Sequence, residues 1–179
     1  MCEHPYGDMN KRTVFLIGVV ALTRQTVAAC VAEGPVETAR WIYTNQSGFS
    51  VYQFPQDLKL MARFLSPRLL GLLEVEWRCQ VVSEGSCAID TDSWTNTEAG
   101  APLNPVTFDL VSLSGLRSTV RMHFGFRSGE GSQAKTLRAR AVLNLARDTK
   151  SGCWQLDDLV GMHGQSLVEQ LQSYADLYP

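Results

Sequence analysis

The chain has little that would let it cross a membrane, hold a metal or grip nucleic acid. Its most apolar run, residues 13–22, has ten residues, about 15 Å of helix against a hydrocarbon core of roughly 30 Å. A single span is therefore excluded for that run. The five cysteines include no Cys-x-x-Cys, and no paired His accompanies them, so no zinc pattern is present. Neither sign of charge dominates. Beyond residue 30 there remain 13 Lys/Arg against 16 Asp/Glu, with no basic run, and nucleic acid is not an expected partner. Internal repeats, low-complexity tracts and long linkers are missing as well, and no cofactor is implied.

What is there begins with a leader. Met9-Asn10-Lys11-Arg12, the apolar run 13–22 and the small-residue exit Val27-Ala28-Ala29-Cys30 are the three parts of a secretory signal. Cys2, Glu3, His4 and Asp8 are unlike the start of a leader, so translation is expected to begin at Met9. An N-terminal core strand or buried helix is the alternative reading. Val27-Ala28-Ala29-Cys30 resembles a bacterial lipobox, which makes Cys30 a lipidation candidate. However, position minus three is Val, and polar Thr23-Arg24-Gln25-Thr26 separates the apolar run from the Cys. Ordinary cleavage after Ala29 or after Ala32 also fits, and soluble export is weighed slightly ahead of lipidation. The expected location is the periplasm or envelope.

Export permits disulfides. Cys79 and Cys87 can close a local clip across Gly85-Ser86, leaving Cys153 either as a buried thiol or as the partner of one of those two.

Residues 31–179 are expected to form a single α+β domain, with N-terminal helices on a curved antiparallel sheet of about four strands and a closing C-terminal helix, in a cone-like arrangement. Gly34-Pro35 starts the first helix, with Val36, Ala39 or Arg40, and Tyr43 apolar on one face. A second helix begins at Pro55 and carries Leu58, Met61, Ala62 and Leu65. Ser66-Pro67 then caps a third through Leu69, Leu70, Leu72 and Leu73 towards Trp77. From Gln80 to Pro105 the composition predicts a long surface loop. Within it, Asp90 to Glu98 has oxygen ligands at alternate positions but lacks the Gly and the twelfth-position acid of a calcium loop, so Asx-type hydrogen bonds are expected instead.

Strands follow at Val106 to Leu113, at Val120 to Arg127 with strict alternation, at Leu137 to Leu145 after a Gly129-Glu130-Gly131-Ser132 turn, and at Cys153 to Leu159. Ser166-Leu167-Val168-Glu169 reads as a capping box for the last helix, through Leu171 and Tyr174. The polar face of the hairpin then gathers Arg121, His123, Arg127, Arg138 and Arg140. That face either docks an acidic partner or is a solvated surface neutralised by Asp109, Asp157 and Asp158, and the second reading is weighed ahead.

Several segments together resemble a family of small exported bacterial proteins of unknown function, many of them lipoproteins. These are Phe54-x-x-Asp57-Leu58, Phe64-Leu65-Ser66-Pro67-x-Leu69-x-x-Leu72-Leu73, the Asp90/Asp92-Ser93-Trp94 loop, Gly152-Cys153-Trp154-Gln155-Leu156-Asp157-Asp158-Leu159 and Ser166-Leu167-x-x-x-Leu171. The loop has Asp-Ser-Trp where such relatives carry Asp-Pro-Phe. The resemblance implies a nuclear-transport-factor-like cone fold and an envelope role in binding other proteins, including immunity against secreted cell-wall-degrading toxins. It implies no shared catalytic residues. Asp90, Asp92 and Trp94 join the arginine face as candidate partner-binding residues.

Enzyme signatures are weak. There is no Gly-x-Ser-x-Gly, and a Cys153/His163 pair has no supporting pattern. The one enzymatic alternative kept is a pocket acid/base using His123 or Asp158 in a small-molecule-binding or hydrolytic cone fold. The expectation is a non-enzymatic envelope protein whose partner is another protein, with membrane attachment only through a lipid on Cys30.

Overall fold

A computed structural model of the protein describes residues 30–46, 48–49, 57–85, 87–98, 100–129 and 131–177. The leader expected before Cys30, and the proposed start of a helix at Pro55, lie outside these residues. The architecture is α+β. Three helices precede a four-stranded antiparallel sheet of order β1-β2-β3-β4, and a fourth helix follows it.

Helix α1 (Pro35–Asn45) opens with Pro in its first turn after Gly34 at φ 82°, and the Thr38 hydroxyl donates to the Gly34 carbonyl at 2.7 Å. Thr38, Ala39 and Ile42 form its buried stripe, one step round the helix from the face expected from Val36 and Tyr43. Helix α2 (Leu58–Met61) is a single turn started by Asp57, whose carboxylate accepts from the backbone N–H of Lys59 and Leu60 at 2.9 and 3.2 Å. It ends early because Leu65, expected on its stripe, is drawn into a parallel bridge with Leu156. Helix α3 (Pro67–Ser83) begins as its sequence predicts. The Ser66 hydroxyl accepts from Leu69 N–H at 3.2 Å, and Pro67 occupies the first turn, where its missing N–H costs nothing.

The expected surface loop from Gln80 is corrected in two ways. Helix α3 continues to Ser83, and the chain after it folds back into the protein rather than over it. Glu76, only 1% exposed, accepts from the N–H of Ala88 at 2.8 Å, from that of Ile89 at 3.0 Å and from Gln80 Nε2 at 2.6 Å. The Cys79–Cys87 disulfide closes the same turn, with Cα atoms 6.2 Å apart. Further on, Asp92 Oδ1 accepts from Trp94 N, Thr95 N and Thr95 Oγ1 at 2.8–3.0 Å. This is the expected Asx-type turn, but Trp94 and Thr95 are buried. Asn96 stands at φ 52° and its carboxamide oxygen accepts from His163 N–H. Any side chain at Gly161 would collide with that carboxamide.

Strands β1 (Leu103–Ser114), β2 (Arg117–Ser128), β3 (Lys135–Arg147) and β4 (Trp154–Val160) pair in sequence order. A 3₁₀ turn at Gly131–Gln133 links β2 to β3. Val120, Met122, Phe124 and Phe126 of β2 face the helices together with Ala141, Leu143 and Leu145 of β3 and Leu156 and Leu159 of β4. Ala39, Ile42, Leu69, Leu73, Trp77, Leu167 and Leu171 cover them in one core. Leu137, expected on that face, is half exposed. Helix α4 (Leu167–Leu177) is capped more fully than a capping box alone provides. Ser166 Oγ accepts from Glu169 N–H at 3.1 Å, while Asp158 of β4 takes both the Ser166 hydroxyl and the Val168 N–H.

The Glu76 anchor yields a direct expectation. Glu76→Ala removes the acceptor for two buried backbone N–H groups, and equilibrium urea unfolding is expected to show a loss of roughly 2–4 kcal/mol. A change below about 0.5 kcal/mol would show that the carboxylate does not hold the turn.

Candidate functional site

Alternation in β2 sends the odd-numbered residues to the face opposite the helices, and register places their neighbours. His123 lies directly across from Arg140 of β3, Gly125 from Arg138, Arg127 from Thr136 and Asp109 of β1 from Arg121. Residues two apart on one strand stand about 6–7 Å from each other on the same face. The sheet therefore brings Arg121, His123, Arg127, Arg138 and Arg140 together on one surface. Gly125 sits among them because a Cβ there would press to 3.2 Å on the Thr136 methyl and 3.4 Å on Leu103 Cβ.

Of the three acids expected to neutralise this surface, two pair with single basic groups of the same alternation and the third does not reach it. Asp109 Oδ2 pairs with His123 Nε2 at 3.0 Å, both groups being about half exposed. Asp157, nearly buried, pairs closely with Arg117. Asp158 is taken up by the cap of α4. Among the described residues, Arg121, Arg127, Arg138 and Arg140 thus have no ion-pair partner, and the last three are exposed. Arg121 Nε is buried against the strands without a hydrogen bond. Arg117 belongs to the same alternation and was missed by reading only from Val120. Residues 103–160 hold eight Lys/Arg against five Asp/Glu, whereas residues 31–102 hold five against nine. The two layers of the fold are thus oppositely biased in charge.

Asp90, Asp92 and Trp94 do not join this surface. Trp94 is 1% exposed and packs edge-on against Tyr43 with ring centroids 5.4 Å apart, so it is a core residue and not a contact for a partner. Asp92 is occupied by its turn, and exposed Asp90 lines a separate cleft of about 230 Å³ with Phe49, Ile89 and Thr91. Neither His123 nor Asp158 lines that cleft. The acid/base pocket built on those two residues therefore has no counterpart there: His123 lies on an open sheet face and Asp158 is a helix cap. The Cys153/His163 pair is corrected as well, because Cys153 is bonded to Cys30, with Cα atoms 5.2 Å apart and 123 residues between them in sequence.

That disulfide also corrects the reading of Cys153 as a spare thiol or a partner for Cys79 or Cys87. A lipid thioether would need the Cys30 sulfur that Cys153 occupies, so the structure holds Cys30 as a cross-link and not as a lipid anchor. Two disulfides are the mark of an oxidising compartment, extracellular or periplasmic. Among the described residues no helix is long and apolar enough to cross a membrane, and no group of three or more His, Cys, Asp or Glu is placed to hold a metal. No family model matches the chain, and neither a curated protein nor a solved structure does.

Two measurements follow from these contacts. Peptide mapping without reduction is expected to recover the Cys30 and Cys153 peptides joined; a free or lipid-bearing Cys30 would refute the pairing. Burial, and secondarily the Asp92 charge, hold the Tyr43 phenol above its ordinary value of 10. The unfolded chain gives up that proton first, so the stability is present below pH 10 and is lost as pH rises through the folded value. Urea midpoints are expected to fall on crossing pH 10, and to fall less in Tyr43→Phe. Equal falls in both proteins would contradict this assignment.

Proposed function

We propose that the protein is an exported, non-enzymatic envelope protein that binds an acidic protein partner through the outer face of its sheet. The observation that carries this reading is the set of guanidinium groups at Arg121, Arg127, Arg138 and Arg140, without ion-pair partners among the described residues and on a face that none of the described helices covers. Asp109 and Asp157 pair with His123 and Arg117 of the same alternation and Asp158 caps α4, which leaves these four arginines without a carboxylate among the described residues. Guanidinium forks are suited to bidentate pairing with carboxylates. The family resemblance adds a partner class, a secreted cell-wall-degrading enzyme that the protein neutralises, or else a larger envelope assembly to which it is an accessory.

Processing after Ala29 fits this reading best. It leaves Cys30 in the mature chain to pair with Cys153, whereas cleavage after Ala32 would discard the cysteine. The exported form is then soluble. The small-molecule or hydrolytic alternative loses support from the exposed position of His123 and the bonded sulfur of Cys153.

The test uses the protein expressed with its own leader and tagged at Pro179. It is taken through a pull-down from envelope extract and then a titration of the purified partner. A stoichiometric acidic protein is expected, bound roughly 10–100-fold more weakly by Arg138→Glu/Arg140→Glu and more weakly in high salt, with the melting temperature of the variant unchanged. Loss of the partner's enzymatic activity in the complex would support immunity. Failure to capture any partner, or equal affinity of the charge-reversed variant, would overturn the proposal.

A further inference from the structure

The Asp109 carboxylate makes a pairing that register alone does not impose. Directly opposite it across the β1–β2 ladder stands Arg121, whereas His123 stands opposite Thr107. Opposed side chains of an antiparallel pair have Cβ atoms about 4.5–5.5 Å apart, and diagonal ones about 7–8 Å. Asp109 Oδ2 nonetheless pairs with the diagonal His123, whose Nε2 lies 3.0 Å away, and Arg121 has no ion-pair partner among the described residues. One carboxylate thus stands opposite one cationic side chain and bonds to another.

Among the described residues few groups face His123. Asp109 and Thr107 come from β1, Arg121 and Gly125 from its own strand, and Arg140, directly across, and Arg138, on the diagonal, from β3. The described helices pack on the other side of the sheet. Of these groups only an imidazole changes its charge between about pH 5 and 8, while guanidinium groups stay charged and ordinary carboxylates stay ionised. Both members of the pair are about half exposed, so solvent exchanges protons with the ring without any opening of the fold.

The two states of the ring hold Asp109 differently. An imidazolium cancels the carboxylate and leaves all four guanidinium groups of the face open. A neutral imidazole keeps at most an ordinary N–H for it, and a charge-assisted bond to a guanidinium is roughly twice as strong. Arg121, opposite, is then the better partner, and one guanidinium of the four is withdrawn from the face. The ring proton leaves to solvent, and only hydrogen bonds are exchanged.

We infer that Asp109 is a pH-driven counter-ion of the arginine face, held on His123 while that ring is protonated and passed to Arg121 when it is neutral, so that the face takes an acidic partner more tightly on the acid side of neutrality. This deepens the reading of the sheet face as a docking surface and rests on it.

The test follows the His123 ring and the Arg121 guanidinium by side-chain NMR of the exported protein from about pH 5.5 to 8, with polyglutamate as the acidic probe for binding. The Arg121 signal is expected to move with the midpoint of His123 in the wild type and to stay still in Asp109→Asn. Polyglutamate is expected to bind roughly three- to tenfold more tightly at about pH 6 than at about pH 8, at equal ionic strength. His123→Gln is expected to bind at both pH values as the wild type does at the higher one. An Arg121 signal that does not move, one that moves equally in Asp109→Asn, or a pH ratio kept in full by His123→Gln overturns this inference and leaves the docking surface standing. Equal polyglutamate binding by wild type and Arg138→Glu/Arg140→Glu at about pH 6 would overturn the docking surface itself, and the inference with it.

Discussion

Two backbone hydrogen bonds at Leu156 organise this fold. Leu156 N–H donates to Phe64 O at 2.7 Å and Ser66 N–H donates to Leu156 O at 2.8 Å, so the joint between α2 and α3 is tied to β4 by an isolated parallel bridge. The ladder with β3 and this bridge together place the rest of β4. Asp158, two residues on, caps α4; Asp157 reaches Arg117; Trp154 packs under Arg147, whose guanidinium carbon lies 5.9 Å from the ring centre; and Cys153 holds Cys30. A seven-residue strand, with Cys153 just before it, thereby ties in both flanking helices and the start of the described chain.

Pairing at Leu156 also explains how the sheet comes to have two unlike faces. With β4 covered by α3 and α4 on one side, the core residues of β2 and β3 are committed to that side by period two, and a slip of one residue would bury the arginines. The arginines are therefore displayed as a consequence of core packing. Their lack of ion pairs among the described residues has a separate origin, because the nearby acids Asp158, Asp109 and Asp157 are taken up by a helix cap, a histidine and Arg117.

Much of this was legible in the sequence, where period and local chemistry agree. The β2 alternation, the Ser66-Pro67 start of α3 and the Ser166 cap each depend on neighbours within a few residues, and the arginine face followed from the same alternation. Long-range pairing was not legible. Leu65 carries a helical spacing yet serves as a bridge to a strand 91 positions later, and nothing local marks it. The loop after Gln80 is polar in composition, but Glu76 supplies one acceptor group to several of its donors, and Trp94 then brings it into the core. Cys30 reads locally as part of a leader exit, and its partner lies 123 residues away, beyond the reach of any local pattern.

The separation of the paired cysteines has a consequence for biogenesis. Closing a loop of 123 residues rather than one of 8 costs roughly 2 kcal/mol more in chain entropy. Cys79 and Cys87 can thus join as soon as both meet an oxidising environment. Cys30 reaches its own partner only when nearly the whole domain has come together, and the sulfurs of Cys79 and Cys87 lie closer to it along the chain. Maturation of this small protein therefore depends on the order in which its sulfurs pair, and on a thiol–disulfide exchange capacity in its surroundings that can undo an early mispairing.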